Sequence, residues 1–307
     1  MRSKDEPILK KLEKDLMKFH KSGMPLLGIV PMENRISFIR QVVDSMRRIN
    51  YVAHIREADH SPDRENPLSW LFDPLKAAVI SAKRGDLEEA FWRVFIATHF
   101  GKNLRTGWKL SAEVYGALGQ RRPWTWLEVS GDVKGFQQWL SRNHLALTGK
   151  FGNHRKYESL KPTTKGPGAV VASYVKWIES AGGHHQLIQT TEKKVGPDPR
   201  KMFAHLYESM VEVHRFGRTG RFDYLTMIAK LKLAPIDANL TYMVGATGPA
   251  KGARLLFSGE INAPIPVAVL ESQLITLEKD LGTGMQVLED SLCNWQKSPN
   301  FYLPFRG

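Results

Sequence analysis

Apolar residues recurring every three to four positions constrain this chain more than any other feature. Met202, Phe203, Leu206, Tyr207, Met210 and Val213 are spaced so that a helix lays them on one face. Asp198-Pro199, just ahead of them, supplies an N-cap with proline at the first helical position. The same period runs through Ile8, Leu12, Leu16 and Phe19, through Ile36, Ile39, Val42, Val43 and Met46, and through Leu87, Phe91, Val94 and Phe95. Further helices are expected over 170–178, 267–281 and 285–295. Asp86 and Glu89 have the spacing of a capping box, and Gly101 that of a C-cap. Trp124, Trp126, Phe136, Trp139 and Leu140 fall at helical spacings and read as core. Alternating strands are scarce, so the expected fold class is all-α.

A chain of 307 residues can bury a sizeable core, in one large domain or in two lobes. The expected division is an N-terminal basic helix or extension over 1–30 and a helical domain over 31–307, which admits two lobes with the active site between them. Lys and Arg number 44 against 31 Asp and Glu, and the net charge of +13 points to a polyanionic partner. The single cysteine, Cys293, excludes a disulfide framework and a Cys-rich zinc site. No apolar run has the length of a signal peptide core or a membrane span, so the expected location is cytoplasmic, with no membrane partner. His184-His185 has no second ligand cluster at metal spacing and reads as a polar loop. Gly245 to Gly252 lacks the lysine spacing and hydroxyl of a Walker loop. Neither a metal nor a cofactor is expected.

His214-Arg215-Phe216-Gly217-Arg218-Thr219-Gly220-Arg221-Phe222-Asp223-Tyr224 carries the most chemistry. Two glycines three apart sit between two helical periods, which implies a sharp turn with glycine at positive φ or in close contact with another backbone. The next helix would offer free N–H groups and a partial positive charge suited to phosphate. Two readings stand side by side: a grip on a nucleic-acid backbone, or a core turn whose arginines are merely solvated. A second loaded stretch is Phe151-Gly152-Asn153-His154-Arg155-Lys156-Tyr157-Glu158, followed by a loop-forming run over 161–168.

The helix–glycine turn–helix resembles the helix–hairpin–helix of DNA glycosylases, in which hairpin amides bind phosphate and a catalytic aspartate lies downstream. Two residues separate the glycines here, where that hairpin usually has one. A closer resemblance rests on His99-Phe100-Gly101-Lys102, residues 151–158, Phe216 to Leu225, Gly245-Ala246-Thr247-Gly248-Pro249 and Cys293-Asn294-Trp295-Gln296-Lys297-Ser298. In combination these resemble the α-glutamyl/putrescinyl thymine pyrophosphorylase family, clade 3, over roughly residues 30–300. The resemblance implies a helical, helix–hairpin–helix glycosylase-like fold. The family's founding activity replaces pyrophosphate on 5-(pyrophosphoryloxymethyl)uracil in DNA with an amine. Some relatives are linked instead to phage defence, as glycosylases that excise hypermodified pyrimidines such as glucosylated hydroxymethylcytosine.

The expected function is therefore a DNA glycosylase acting on a flipped, hypermodified pyrimidine in phage DNA. The pyrophosphorylase is the alternative, and a non-catalytic modified-DNA binding module is the third reading. The expected partner is DNA containing modified bases, with no obligate protein partner. Asp223 and Asp237 compete for the catalytic carboxylate, with Asp290 a further possibility. Gly217, Arg218, Thr219, Gly220, Arg221, Lys102, Arg105, Arg155 and Lys156 are expected on the DNA backbone. His99, Asn153, His154, Tyr157, Asn294, Trp295, Gln296 and Lys297 are expected around the base, the amides as readers of its edge and the aromatics as stacking faces.

Overall fold

The computed structural model describes residues 5–152 and 155–304. Among them the chain forms fourteen α-helices joined by turns and short 3-10 segments, with no strand, as the periodicity predicts. Two compact units emerge, one from residues up to Tyr51 together with those from Ala238 onward, the other from Val52–Asp237.

The first unit contains α1 (Glu6–Lys21), most of α2 (Met32–Glu57), α12 (Thr247–Ser258), α13 (Val267–Leu281) and α14 (Met285–Trp295). Helix α1 packs on α13, burying Leu12, Leu16 and Phe19. The glycine-rich run is helical from Thr247: Gly248 and Gly252 lie within α12, where they let α14 come close. A Cβ on Gly252 would stand 2.3 Å from the Leu292 carbonyl oxygen, and one on Gly248 2.7 Å from Cys293 Sγ. The buried Glu271 carboxylate accepts from Thr241 N, Thr241 Oγ1 and Met243 N, pinning the segment that leads into α12.

The second unit contains α3 (Pro74–Lys83), α4 (Leu87–Phe100), α5 (Lys109–Tyr115), α6 (Trp126–Gly131), α7 (Val133–Asn143), α8 (Pro167–Glu179), α9 (His184–Val195), α10 (Pro199–Ser209) and α11 (Arg218–Lys230). Helix α4 is its axis, touched by α3, α5, α6, α9 and α11. Its sequence is apolar nearly all round, and every residue from Glu89 to Ala97 is buried, which is what a central helix requires.

Two local expectations need correction. Asp86 caps α4 as predicted, accepting from Glu89 N, but the Glu89 side chain does not reach back to complete a capping box. It turns inward instead, taking hydrogen bonds from Arg93 Nε (2.8 Å), Tyr115 OH (2.6 Å) and Trp126 N (2.6 Å), because a buried carboxylate needs several donors. His184-His185 is not a loop either. It opens α9, where both backbone N–H groups donate to Glu88. No helix among the described residues is long and apolar enough to cross a membrane.

Candidate nucleic-acid site

The hairpin lies within the second unit. Helix α10, capped by Asp198 as expected, runs into a 3-10 turn at Met210–Glu212, and α11 begins at Arg218. The turn is built differently from the glycine pattern. The left-handed residue is Arg215 at φ 56, whereas Gly217 is the extended N-cap of α11 at φ −67. Arg215 is held there by a two-pronged pair with Glu158, at 2.8 and 3.1 Å, which ties the hairpin to the 155–158 segment. Gly217 and Thr219 are exposed, and no side chain caps the N-terminus of α11. Its first N–H groups thus keep the anion-binding capacity of a helix start.

Gly220 serves a different purpose. It is buried in the first turn of α11, and a Cβ there would stand 2.3 Å from Arg155 Nη2. The missing side chain makes room for a guanidinium. Arg155 is only 9% exposed. Its Nη1 donates to the Arg215 carbonyl at 3.1 Å, its plane lies 4.6 Å from the Phe216 ring centroid, and its buried Nη2 has no partner. Burial pulls its pKa below the ordinary arginine value; the negative charges of Asp223 and Glu158 oppose that pull, and Arg215 adds to it. An arginine nevertheless remains a cation at any physiological pH. The result is a desolvated positive charge with an unused donor, in the electrostatic field of half-buried Asp223.

His99 joins this cluster from the last turn of α4. Its ring lies 5.7 Å from Phe95, 5.8 Å from Phe216 and 6.2 Å from Phe151, and it is wholly buried. Neither ring nitrogen has a hydrogen-bond partner. Burial first, then the charges of Arg155 and Arg215, hold its pKa well below the histidine norm, so the imidazole is neutral. Each unpaired buried polar atom costs about 1–3 kcal/mol, and such atoms call for an explanation. Helix α4 then stops at Gly101, the C-cap foreseen from sequence, at φ 71. Its backbone crosses Gly152 so closely that a Cβ on Gly152 would stand 2.9 Å from Gly101 Cα. Gly152 N donates to Phe100 O, and Asn103 Nδ2 to Phe151 O. Residues 99–102, 151–152, 155–158 and 215–223 therefore meet in one place.

The surrounding residues divide by exposure. Lys102, Arg105, Lys156 and Tyr157 are exposed, Tyr157 at 85%. Arg218 lies over the Phe222 ring at 5.1 Å. Arg221 turns inward, donating to Tyr207 O and covering the Tyr207 ring, which removes it from the phosphate-facing set. Asn153 and His154 lie outside the described residues. Among the described residues no group of three or more His, Cys, Asp or Glu side chains gathers as a metal site.

Beneath α11 runs a buried chain that the sequence did not reveal. Glu88 Oε2 meets His184 Nδ1 at 2.5 Å, His184 Nε2 meets Tyr174 OH at 2.7 Å, and Tyr174 OH meets Tyr224 OH at 2.7 Å. Burial works to raise the Glu88 pKa but is outweighed by His184 and the two α9 N–H groups, which hold it at about 2. Burial keeps His184 neutral. The chain fixes the inner face of α11 at Tyr224, the residue that follows Asp223.

The other predicted residues lie elsewhere. Asp237 is exposed, its carboxylate 3.5 Å from Arg200 Nε at the start of α10. Asn294, Trp295, Gln296 and Lys297 belong to the first unit. Trp295 is wholly buried against Phe38, its Nε1 donating to Pro299 O, so it is a core residue and offers no stacking face. Asn294 donates to Asp290 O and Oδ1 and accepts from Lys297 Nζ, while Gln296 donates to Cys293 O. Asp290 in turn pairs with Arg48, itself paired with Asp44. Every one of these groups has a local partner.

Comparison with known proteins gives one finding. The family model described as alpha-glutamyl/putrescinyl thymine pyrophosphorylase, clade 3, matches residues 33–307. No curated protein and no solved structure matches the chain.

Proposed function

The chain belongs to the alpha-glutamyl/putrescinyl thymine pyrophosphorylase family, clade 3, and from that membership we propose that it is a DNA glycosylase acting in phage defence. Its substrate is a hypermodified pyrimidine, such as glucosylated hydroxymethylcytosine, flipped out of phage DNA. One observation carries the reading: the half-buried carboxylate of Asp223 lies on the hairpin helix against which a desolvated arginine with an unused donor, Arg155, is packed. That sets a backbone clamp and an acid on the first two turns of α11, with a buried cation packed against them.

Flipping a base costs about a few kcal/mol. The N–H groups at Gly217–Gly220, with Lys102, Arg105 and Lys156 around them, offset that cost by holding the phosphates. Rupture of the C1′–N1 bond sends its electron pair to the base and builds positive charge on the sugar. The Asp223 carboxylate stabilises that charge and orients water. The water oxygen bonds to C1′, and its proton completes the departing base. Arg155, whose charge lies in the field of Asp223, donates to the strand. Tyr157 is the exposed ring available to stack. His99 backs the cluster as a neutral imidazole enclosed by Phe95, Phe100, Phe151 and Phe216. Asp223 is preferred to Asp237, whose exposed carboxylate faces Arg200 in water.

The family's name favours a second reading, in which an amine displaces pyrophosphate from 5-(pyrophosphoryloxymethyl)uracil. The two are separated by incubating the protein with duplexes carrying thymine, hydroxymethylcytosine, its glucosylated form or the pyrophosphorylated base. Free base and abasic sites without added amine are expected. Amine-dependent pyrophosphate release without abasic sites would overturn the glycosylase reading, and binding with neither product would reduce the protein to a modified-DNA binding module.

A further inference from the structure

A cleft of about 650 Å³ lies in the same unit, bounded by the loop that carries Trp70, by Lys102 and Trp108, and by the turn after α5 at Leu118 and Gly119. Lys102 joins it to the hairpin cluster, since it follows Gly101 at the Gly152 crossing. Trp70 is 91% exposed. Leaving the largest aromatic side chain in water forgoes much of the apolar burial available to it, and nothing in the folding of the unit requires that placement.

The loop beneath Trp70 is nevertheless well held. Arg64 Nη1 donates to Leu71 O at 2.8 Å, Asp73 N to Arg64 O at 3.1 Å, and Leu68 N to Asn66 Oδ1 at 3.0 Å. Pro67 is locked against Gly116, where a Cβ would stand 2.6 Å from the proline ring. The turn packed beside this loop, Ala117, Leu118 and Gly119, has φ 50, 55 and 72, consecutive left-handed residues of a kind that β-carbons oppose, and a Cβ on Gly119 would stand 3.2 Å from Leu68 Cδ2. The indole is thus presented on a preformed support, and its ordering is not deferred to binding. The second indole, Trp108, carries the Lys102 ammonium 5.9 Å from its ring centroid. An exposed indole and a half-buried one that carries a lysine, lining one cleft of a strongly basic chain, have the make-up of a single-stranded nucleic-acid subsite, where bases stack and cations track the backbone.

We propose that this cleft receives an unpaired nucleobase of a DNA strand held at the hairpin, stacked on Trp70, with Lys102 on the adjoining phosphate. The proposal rests on the DNA reading above. Affinity is to be measured by fluorescence anisotropy for a fully paired duplex and for the same duplex with a short single-stranded overhang. Wild type should prefer the overhang. Trp70→Ala should lose about tenfold on the overhang duplex and remain within about twofold on the paired one, while Trp70→Phe keeps most of the preference. The exposure of Trp70 makes these variants safe for folding.

Quenching of tryptophan emission by the overhang in wild type, but not in Trp70→Ala, is expected alongside. If wild type binds neither duplex, the DNA reading falls and this inference with it. Should wild type bind both and Trp70→Ala follow it on both, only the cleft assignment falls. Equal losses on both duplexes, or a change confined to self-association in sedimentation, would also overturn it.

Discussion

Two clusters of family motifs fold into two different units, and they treat polar groups in opposite ways. In the second unit, His99 has two idle ring nitrogens and Arg155 an idle N–H, all buried. In the first, Asn294, Gln296, Lys297 and Asp290 are all paired, and Trp295 is sealed behind Phe38 with its N–H bonded. Both clusters use glycine for close approach, yet Gly252 admits another helix whereas Gly220 admits a charged side chain. Folding alone favours the satisfied arrangement. The unsatisfied one is stable only because its surroundings hold it, and such sites are where function concentrates.

That contrast can be broken by substitution. Trp295→Ala should cost about 3–5 kcal/mol of stability, as removal of a fully buried aromatic does, with the rate per folded molecule unchanged; urea unfolding read beside turnover checks it. Arg155→Met should do the reverse, lowering DNA affinity about 10- to 100-fold for the loss of a charge-assisted donor without loss of stability, because it removes a buried, partly unpaired cation. Equal destabilisation by both variants would erase the distinction between the clusters. Gly220→Ala sharpens it: the new methyl must displace the Arg155 guanidinium, and a loss of about tenfold in DNA affinity is expected with the helix intact by circular dichroism.

Smaller effects concern charge and pH. Replacing Lys102, Arg105 or Lys156 singly by Ala should weaken binding alike across sequences and reduce the slope of log K against log salt by about one each. His99 has a folded-state pKa well below its unfolded value, so its contribution is complete above about pH 6.5 and is lost as pH falls towards the depressed value. His99→Phe should flatten that decline in a pH series of thermal midpoints. Glu88, held at about 2, contributes above its ordinary pKa of about 4.5 and loses that contribution as pH falls through 2; Glu88→Gln should abolish this acid limb.

The helices were legible because their signals are local: apolar spacing, Asp198 before Pro199, Asp86 before Leu87, and Gly101 after Phe100 all act within a turn. The hairpin was legible as a break between two periods. Its construction was not. Glycine spacing implied a glycine at positive φ or against another backbone, whereas the left-handed residue is Arg215, under the grip of Glu158, a partner distant in sequence. Gly220 reads as a turn residue until Arg155 is found against it. The chain from Glu88 through His184 and Tyr174 to Tyr224 joins four helices, and no periodicity encodes such a path. Trp295 shows the opposite error, since an aromatic at helical spacing is core by default, and its place in a family motif made it look like a ligand contact.

The central proposal is that Asp223, on the hairpin helix against which Arg155 packs, performs glycosidic hydrolysis. Its most direct test is single-turnover release of free base from DNA carrying glucosylated hydroxymethylcytosine, without amine, by wild type, Asp223→Asn and Asp237→Asn. Wild type should release the base and leave abasic sites, Asp223→Asn should lose at least about a hundredfold while still binding the DNA, and Asp237→Asn should match wild type. Undiminished release by Asp223→Asn, or a loss confined to Asp237→Asn, would contradict the account.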